Sequence, residues 1–310
     1  MRILIIKLGA FGDVLRTTCI LKGLKKKYNA EILWFTKEKD SELLLNNEFI
    51  DKVITDAKKL GEYDLVVSLD DEAGKIVSKL KRKKIIGCFD SKYTADSSEW
   101  FDMGLISRFG KQKADELKKK NKRTYQQILS EMLNVEIGEY VFNLTDEEKR
   151  FGEKLDGKIV GVNTGSGGRW SMKRLNVERT VELIKKILSL DVKVVLFGGP
   201  EEKERNKKIL SKVDVIDAGC DNSVREFASL INQCDVLVTS DTLAMHLGIA
   251  LKKKIVAFFG PTSAAEIELY GRGKKIISKS DCYCCYKKTN GDCDKYISVD
   301  EIFNAVKELM

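Results

Sequence analysis

The sequence predicts an α/β protein of two domains, each built on a parallel sheet covered by helices. Apolar runs without polar alternation recur along the chain, separated by stretches with a helical period. Such runs are typical of strands buried on both faces. Each half also contains a turn that follows an apolar run and carries an aspartate near the next helix, at Lys7–Asp13 and at Thr239–His246. The 310 residues suit two domains of about 150 residues each. We therefore expect two nucleotide-binding folds facing one central cleft.

The strands are predicted in two sets, one in each half of the chain. The first set is Ile3–Ile6, Ile32–Phe35, Val53-Ile54, Leu65–Leu69 and Ile85-Ile86. The second set is Ile159–Val162, Val194–Phe197, Val213–Ile216, Val236–Val238, Ile255–Phe259 and Ile276-Ile277. Helices are expected between the strands, for example at Val14–Lys27, Val177–Leu190 and Arg225–Asn232.

The domain boundary is predicted in the charged stretch Asp146–Lys158. It separates an N-terminal domain of residues 1–150 from a C-terminal domain of residues 151–310. The amphipathic pattern of Val299–Met310 predicts a last helix that packs back across the domain junction onto the N-terminal domain. The N-terminal apolar run is too short and too quickly charged for a signal peptide, and no run approaches the ~18 residues of a membrane span. These features predict a cytoplasmic protein.

The positive charge of the chain is concentrated in clusters. The 55 Lys and Arg residues outnumber the 47 Asp and Glu residues, giving a net charge of +8. The clusters are Lys25–Lys27, Lys81–Lys84, Lys118–Arg123 and Lys252–Lys254. The simpler interpretation is a solvated surface. The alternative is attraction to an anionic glycolipid or to the inner face of the cytoplasmic membrane. Nucleic acid is not expected as a partner, because no recognised binding module accompanies the charge.

The first turn offers a candidate base. Gly9 and Gly12 permit close approach of another group, and Asp13 falls near the start of a predicted helix. Asp13 could simply cap that helix, which is the commoner role of aspartate at such a position. Alternatively, Asp13 could take a proton from an attacking hydroxyl group. The spacing alone favours the cap.

A second candidate site follows the first predicted strand of the C-terminal half. Thr164–Gly168 is a small, polar, glycine-rich loop, and the cations Arg169, Lys173 and Arg174 come after it. Backbone N–H groups and cations together suit a diphosphate whose charge grows as a bond breaks. A loop with incidental surface cations remains the alternative. The loop is not a P-loop, because the Gly-x-x-x-x-Gly-Lys-Ser/Thr pattern is absent.

The second aspartate-bearing turn contains the only histidine of the chain, His246. Asp241 or Thr242 can cap the next helix, whose first N–H groups would face an anion. A lone histidine is more often structural than catalytic. Two further turns are expected along the same rim, at Phe197–Pro200 and Phe259–Thr262.

Five segments in this order carry a resemblance to a known family: Lys7–Val14, Asn163–Lys173, Phe197–Pro200, Ser240–Leu247 and Phe259–Thr262. Together they resemble the ADP-heptose:lipopolysaccharide heptosyltransferases, glycosyltransferase family 9, over nearly the whole chain. The resemblance implies a GT-B fold of two Rossmann-like domains. It also implies an inverting, metal-independent transfer of a heptose or related sugar from an ADP-sugar, with no other cofactor. The acceptor would be a saccharide or glycolipid such as lipopolysaccharide core, bound on the N-terminal side. The alternatives are a sugar-nucleotide epimerase or hydrolase, and a non-catalytic sugar-nucleotide-binding protein.

The resemblance assigns roles to individual residues. Asp13 matches the catalytic base and Lys173 the basic residue that stabilises the leaving diphosphate. The matching donor and nucleotide site comprises Gly12, Thr164, Gly165, Ser166, Arg169, Gly198, Gly199, Asp241, Thr242, Leu243, Ala244 and His246. Asp70-Asp71-Glu72 is interpreted as a surface turn at a strand end. The Ala10-Phe11 pair departs from the small polar residues of many family members, which leaves the donor and acceptor open.

Eight cysteines in a chain predicted to be cytoplasmic are not expected to form disulfides. Four are scattered, but Cys282, Cys284, Cys285 and Cys293 are clustered. Four thiolates could bind zinc or an iron–sulfur cluster. The Cys-x-Cys-Cys run is not interpreted as the usual metal-binding Cys-x-x-Cys motif, so no metal is predicted. A structural metal site, distant from the transfer chemistry, is kept as the less favoured alternative.

Overall fold

The structure is a computed structural model that describes residues 1–89, 92–93, 105–136, 138–153, 155–287, 289 and 291–310, without the side chains of Phe89, Lys92, Tyr93 and Arg169. The chain divides into two compact units. The first unit comprises residues 1–143 and 265–268, and the second comprises residues 144–264 and 269–310.

The first unit contains a six-stranded sheet. Its strands are β1 (Arg2–Ile6), β2 (Glu31–Phe35), β3 (Lys52–Ile54), β4 (Glu62–Ser68), β5 (Lys81–Phe89) and β6 (Lys92–Tyr93). Their order across the sheet is β3-β2-β1-β4-β5-β6, parallel except for β6. The strand β1 lies between β2 and β4, with Ile6 paired to Phe35 and to Ser68. The chain therefore reverses its direction of progress across the sheet at β1 and β4, where Rossmann-type sheets bind ligands.

The helices of the first unit are α1 (Phe11–Thr17), α2 (Leu21–Tyr28), α3 (Gly74–Val77), α4 (Leu105–Lys120) and α5 (Tyr125–Leu133). The predicted helix Val14–Lys27 is interrupted by a 3-10 turn at Thr18–Ile20. The hydroxyl groups of Thr17 and Thr18 donate to the carbonyls of Asp13 and Leu15. Such side-chain bonds back to the preceding turn distort an α-helix, which explains the interruption.

The second unit repeats the same strand order. Its strands are β7 (Ile159–Asn163), β8 (Lys193–Phe197), β9 (Ile216–Asp217), β10 (Val236–Ser240), β11 (Lys254–Phe259) and β12 (Gly273–Ile277). They lie in the order β12-β11-β10-β7-β8-β9, and every pair is parallel. The reversal here falls between β7 and β10. The strand predicted at Val213–Ile216 is wrong in position, because the Val213 N–H bonds the carbonyl of Ile209 and so extends the preceding helical turn.

The helices of the second unit are α6 (Asp146–Gly152), α7 (Val177–Leu188), α8 (Lys203–Leu210), α9 (Val224–Asn232), α10 (Leu243–Ala250) and α11 (Val299–Leu309). The last helix, α11, packs on α7 and on the second sheet, where Ile302 joins Ile184 and Val238 in the core. Every residue from Ala244 to Ala250 in α10 is buried. Among the described residues, no helix combines the length and the apolarity needed to cross a membrane.

A bidentate ion pair fastens α6 to α9. Arg225 Nη2 lies 2.7 Å from Glu148 Oε2, and Arg225 Nε donates to the other carboxylate oxygen. The Ser229 hydroxyl donates to the carbonyl of Glu148. The hydrogen bond from Arg225 above all, with the hydrogen bonds from Thr145 and the charge of Arg225, lowers the pKa of Glu148 from 4.5 to about 2. The charged stretch in which the domain boundary was predicted therefore begins with a helix that packs within the second unit.

The lowered pKa of Glu148 predicts how the stability of the second unit depends on pH. The carboxyl group of Glu148 binds its proton more weakly in the folded state than in the unfolded state. The stabilisation that its ion pair gives to the folded state is therefore complete above pH 4.5 and is lost as the pH falls towards 2. Urea unfolding of wild type and Glu148→Gln should show a stability difference at pH 7 that shrinks steadily below about pH 5. Glu147→Gln, an exposed change in the same helix, should show no such trend. A difference that stays constant down to about pH 2.5 would contradict this prediction.

Candidate functional site

A buried ion pair joins the ends of β1 and β4 in the first unit. Lys7 is fully buried, and its Nζ lies 2.7 Å from Asp70 Oδ1. The other oxygen of Asp70 accepts hydrogen bonds from the N–H groups of Leu8 and Gly9. The interpretation of Asp70 as part of a surface turn is therefore wrong. The Lys7–Asp70 pair could not be predicted from the sequence, because it requires β1 and β4 to be neighbours in the sheet.

The carboxylate of Asp13 is held at the start of α1. The helix begins at Phe11 after Ala10, so Asp13 lies in its first turn and not at its N-cap. Asp13 Oδ1 is 2.5 Å from Arg16 Nη2, and a quarter of the Asp13 side chain is exposed. The guanidinium of Arg16 lies 4.3 Å from the ring centre of Tyr125. Asp13 is thus oriented by a buried cation and remains accessible to a hydroxyl group. Gly12 precedes it in the same turn of the helix.

A further carboxyl group lies close to this loop and was missed from the sequence. Asp40 is fully buried in a 3-10 turn, Glu38–Leu44, that contacts α1. Within the described residues, neither of its carboxylate oxygens has a hydrogen-bond partner. Burial raises the pKa of Asp40, opposed by Lys39 and Lys37 and reinforced by the negative charges of Asp70 and Asp13. The residue follows a lysine-rich segment that resembles ordinary surface, so no local pattern marked it.

In the second unit the ends of β7 and β10 are joined by hydrogen bonds. The amide of Asn163 donates to Thr239 Oγ1 and to the carbonyl of Gly165, both at 3.1 Å. The hydroxyl of Thr164 donates to Asn206 Oδ1 at 2.6 Å. These bonds fix the glycine-rich loop that follows β7 at the carboxyl edge of the sheet.

The structure brings Lys173, predicted to stabilise the leaving diphosphate, together with Asp241 and His246, predicted for the donor site. Lys173 Nζ lies 2.9 Å from Asp241 Oδ2 and 2.7 Å from the carbonyl of Asp241. His246 Nε2 lies 3.7 Å from Asp241 Oδ1. The ring centre of Trp170 is 4.9 Å from Lys173 Nζ. Lys173 and Asp241 retain 13% and 17% side-chain exposure, so a ligand can reach both.

This Lys173–Asp241 pair lies directly before the N-terminus of α10. The helix begins at Leu243, and the side chain of Thr242, at the N-cap position, makes no capping hydrogen bond to it. The Thr242 hydroxyl instead contacts Thr239 Oγ1 and the carbonyl of Ser240. The first N–H groups of a helix carry partial positive charge and bind anions. An ammonium group beside such a helix start can therefore bind a phosphate group.

Another buried carboxylate, that of Glu202, lies beside the glycine-rich loop that follows β7. Glu202 accepts hydrogen bonds from the N–H groups of Gly199 at 3.1 Å and Ser166 at 3.4 Å. Its Oε1 is also 3.4 Å from Arg174 Nη1. In the loop Thr164–Gly168, whose N–H groups were expected to cradle diphosphate oxygens, the N–H group of Ser166 is bonded to Glu202. The N–H group of Gly199, in the neighbouring turn, is bonded to the same carboxylate. The signal missed in the sequence is Gly199-Pro200-Glu201-Glu202, a helix start with proline first and glutamate third.

Two glycines of the predicted nucleotide site, Gly165 and Gly198, pack closely against polar side chains. Gly165 faces Glu202, since a Cβ added there would lie 3.1 Å from Glu202 Oε2. Gly198 packs against the amide of Asn206, which would lie 2.7 Å from such a Cβ. The side chain of Arg169 lies outside the described part of the structure.

Many lysines of the basic clusters are paired within their own unit. Lys25 and Lys26 lie 2.6 and 2.7 Å from Asp51 and Glu136. Lys118 is buried, and its Nζ lies 3.1 Å from Glu266 Oε1. These pairs reduce the charge that the clusters can present to an anionic partner.

Of the four clustered cysteines, the structure brings three together. The thiol groups of Cys282, Cys285 and Cys293 lie within 4.8 Å of one another, and Cys284 is not part of the group. Cys282 and Cys285 are separated by two residues, which is the Cys-x-x-Cys spacing. The sequence interpretation missed it because Cys284 lies inside the motif.

Comparison with known proteins identifies the family of this chain. A family-level sequence model described as glycosyltransferase family 9 (heptosyltransferase) matches residues 58–295. The chain belongs to glycosyltransferase family 9. The resemblance of the five sequence segments to this family is thereby confirmed, and the protein is a glycosyltransferase.

Whole-chain relatives support the assignment to family 9. Lipopolysaccharide heptosyltransferase 1 of Campylobacter coli is 24% identical over 350 aligned positions that cover 100% of this chain and 99% of that enzyme. A family 9 glycosyltransferase structure from Veillonella parvula matches with a TM-score of 0.80 at 21% identity, covering 99% of this chain and 96% of that one. The Escherichia coli ADP-heptose LPS heptosyltransferase II structure matches at a TM-score of 0.72 and 16% identity, covering 100% and 98%. The two structural likenesses establish the GT-B fold predicted from the sequence.

Proposed function

We propose that this family 9 enzyme transfers a heptose or related sugar from an ADP-sugar to a saccharide or glycolipid acceptor, such as lipopolysaccharide core. The names of its relatives support the proposal, since they are lipopolysaccharide and ADP-heptose heptosyltransferases. The observation that carries it is the Lys173–Asp241 pair at the start of α10. We further propose that transfer inverts the anomeric configuration and uses no metal ion in the chemical step.

The second unit would bind the donor. The ammonium group of Lys173 and the first N–H groups of α10 would neutralise the diphosphate as charge develops on it. His246, buried beside Asp241, would keep that carboxylate in position near the sugar. The charge needed by the leaving ADP would therefore come from protein groups. The uncharged part of the nucleotide would be lined by Thr164, Gly165, Gly198 and the buried Glu202. The carboxylate of Glu202 can accept hydrogen bonds from the ribose hydroxyl groups.

The first unit would bind the acceptor and supply the base. An acceptor hydroxyl oxygen attacks the anomeric carbon while the bond from that carbon to the diphosphate oxygen breaks, and ADP leaves with the bonding electrons. Asp13 receives the hydroxyl proton. A single displacement of this kind inverts the anomeric centre. The Arg16 contact orients the Asp13 carboxylate, and the Lys7–Asp70 pair fixes the preceding loop.

The proposed location follows from the acceptor. We propose that the enzyme works in the cytoplasm at the inner face of the cytoplasmic membrane, where a nascent glycolipid would be reached. The exposed members of the basic clusters, including Lys119 and Lys120, would add a weak, salt-sensitive attraction to anionic headgroups.

The function is tested by measuring nucleoside-diphosphate release from ADP-, GDP- and UDP-sugars, with and without a cell-envelope glycolipid extract. We expect release from the ADP-sugar only, dependent on acceptor, with the sugar recovered on the glycolipid. Nuclear magnetic resonance of the product should show the inverted anomer, and adding Mg²⁺ or Mn²⁺ should not change the rate. Acceptor-independent release would instead indicate a hydrolase or epimerase. Donor binding without turnover would favour a non-catalytic binding protein.

Replacing Lys173 with methionine tests the donor side. Methionine has a similar length but no charge, so we expect kcat to fall about 10²–10³-fold, the usual cost of losing one preorganised electrostatic contact in the transition state. Lys185→Met, an exposed change in α7, is the matched control and should leave kcat unchanged. The double variant Lys173→Met/Asp241→Asn removes both charges and shows whether an unpaired Asp241 causes part of the loss. Unchanged kcat in Lys173→Met would contradict the proposed role.

A further inference from the structure

Three cysteine thiol groups of the second unit meet at one point. The sulfur atoms of Cys282 and Cys293 are 3.8 Å apart, and the sulfur of Cys285 lies within 4.8 Å of both. Cys293 is buried, Cys285 is half-buried and Cys282 is exposed. The group is therefore formed at the edge of the protein, where an ion from solution can enter.

Backbone contacts shape the loop that carries these thiol groups. The N–H groups of Cys284 and Tyr286 donate to the carbonyls of Gly260 and Pro261, at 3.0 and 2.8 Å. Both donors have left-handed backbone conformations, with φ of 61° and 53°. Non-glycine residues rarely adopt this region. The hydroxyl of Ser278 donates to the carbonyl of Cys293 at 3.2 Å. The chain is thus bent twice around Cys285 and anchored on both sides of the three thiol groups.

We propose that Cys282, Cys285 and Cys293 bind one thiophilic divalent cation, Zn²⁺ or Fe²⁺. Two thiolates bound 2.3 Å from one tetrahedral ion lie about 3.8 Å apart, which is the separation of Cys282 and Cys293. An iron–sulfur cluster requires more widely spaced thiolates, because each binds a different iron atom. The three thiolates leave a fourth position for water or another donor.

The position of the site gives the ion a structural role next to the proposed donor site. A Cβ added at Gly291 would lie 2.2 Å from Met172 Cε, and one added at Gly260 would lie 2.9 Å from Cys293 Cβ. Met172 directly precedes Lys173. A metal ion would therefore fix the loop against the segment that carries Lys173, a consequence that depends on the proposed function. Such a site was expected from the sequence to be distant from the transfer chemistry, whereas these contacts bring its loop to the residue that precedes Lys173.

Metal analysis of the full chain tests the site independently of activity. Protein produced in medium supplemented with zinc and iron, and purified with a phosphine reductant, should contain about one equivalent of one of these metals. Elemental analysis distinguishes the two. Cys282→Ser, Cys285→Ser and Cys293→Ser should each reduce the content at least tenfold. Cys284→Ser, a change in the same loop outside the thiol group, is the matched control and should keep it.

Cobalt titration of the metal-free wild-type protein provides a readout that needs no variant to fold. Co²⁺ bound by three thiolates should give intense thiolate-to-cobalt charge-transfer absorption that saturates at about one equivalent. The proposal is overturned if reduced protein holds less than a tenth of an equivalent of metal and shows no such absorption. It is also overturned if a Cys282–Cys293 disulfide replaces the metal, or if every single variant retains the metal. None of these results depends on sugar transfer, so they leave the proposed function to its own test.

Discussion

Replacing Asp13 with asparagine is expected to lower kcat for acceptor-dependent ADP release about 10²–10⁴-fold, the usual contribution of a general base. Asparagine keeps the size of the side chain and an oxygen that can face Arg16, but it cannot take up the proton of the acceptor hydroxyl. Donor affinity, measured by calorimetry, should stay unchanged, because the groups proposed above to hold the diphosphate belong to the second unit.

Two controls make the Asp13 result specific. Asp56→Asn changes an exposed carboxylate of the first unit to a residue that caps equally well, so its kcat should equal that of wild type. Circular dichroism of Asp13→Asn should match wild type, which separates lost chemistry from lost fold. Full activity in a folded Asp13→Asn enzyme would exclude Asp13 as the base.

Replacing Lys7 with methionine is expected to cost the first unit about 3–5 kcal/mol in free energy of unfolding, since removing one partner leaves a buried charge uncompensated. Lys7 is fully buried and Asp70 nearly so, and both are distant from bulk solvent. The measurement is urea unfolding combined with hydrogen exchange in peptides that cover β1 and β4. Protection of these two strands should fall most, because the pair joins their ends.

Lys26→Met is the matched control for Lys7→Met. Lys26 also forms an ion pair, with Glu136 at 2.7 Å, but both side chains are about 70% exposed. Exposed pairs contribute little because water screens them and the side chains lose entropy. Similar losses in the two variants would show that burial of Lys7 does not determine the effect, and would contradict the prediction.

Strand positions could be predicted because a buried parallel strand is a local apolar run. The runs Ile3–Ile6, Val194–Phe197 and Ile255–Phe259 all fall within observed strands. The prediction at Val213–Ile216 was misplaced because hydrophobicity alone does not distinguish a helix end from a strand.

The candidate donor site was predicted in part, for a similar reason. Asp241 and Lys173 each follow a predicted strand, and carboxyl ends of neighbouring parallel strands meet at one edge. The sequence does not contain the strand order, however, so the 2.9 Å contact between them required the structure. Glu202 was missed because the local signal, a helix start at Gly199-Pro200, was overlooked and because its other partner, the N–H group of Ser166, lies in a different loop.

The sequence by itself determined the two-domain α/β class, the parallel sheets and the membership of family 9, because these depend on local patterns and on motif order. Only the tertiary structure decided which side chains meet: Lys7 with Asp70, Lys173 with Asp241, and Cys282 with Cys285 and Cys293. These contacts join residues 3 to 68 positions apart, and their partners are selected by strand order and loop packing. The energy of a buried charge depends on what lies within a few ångströms of it, and only the fold determines that distance.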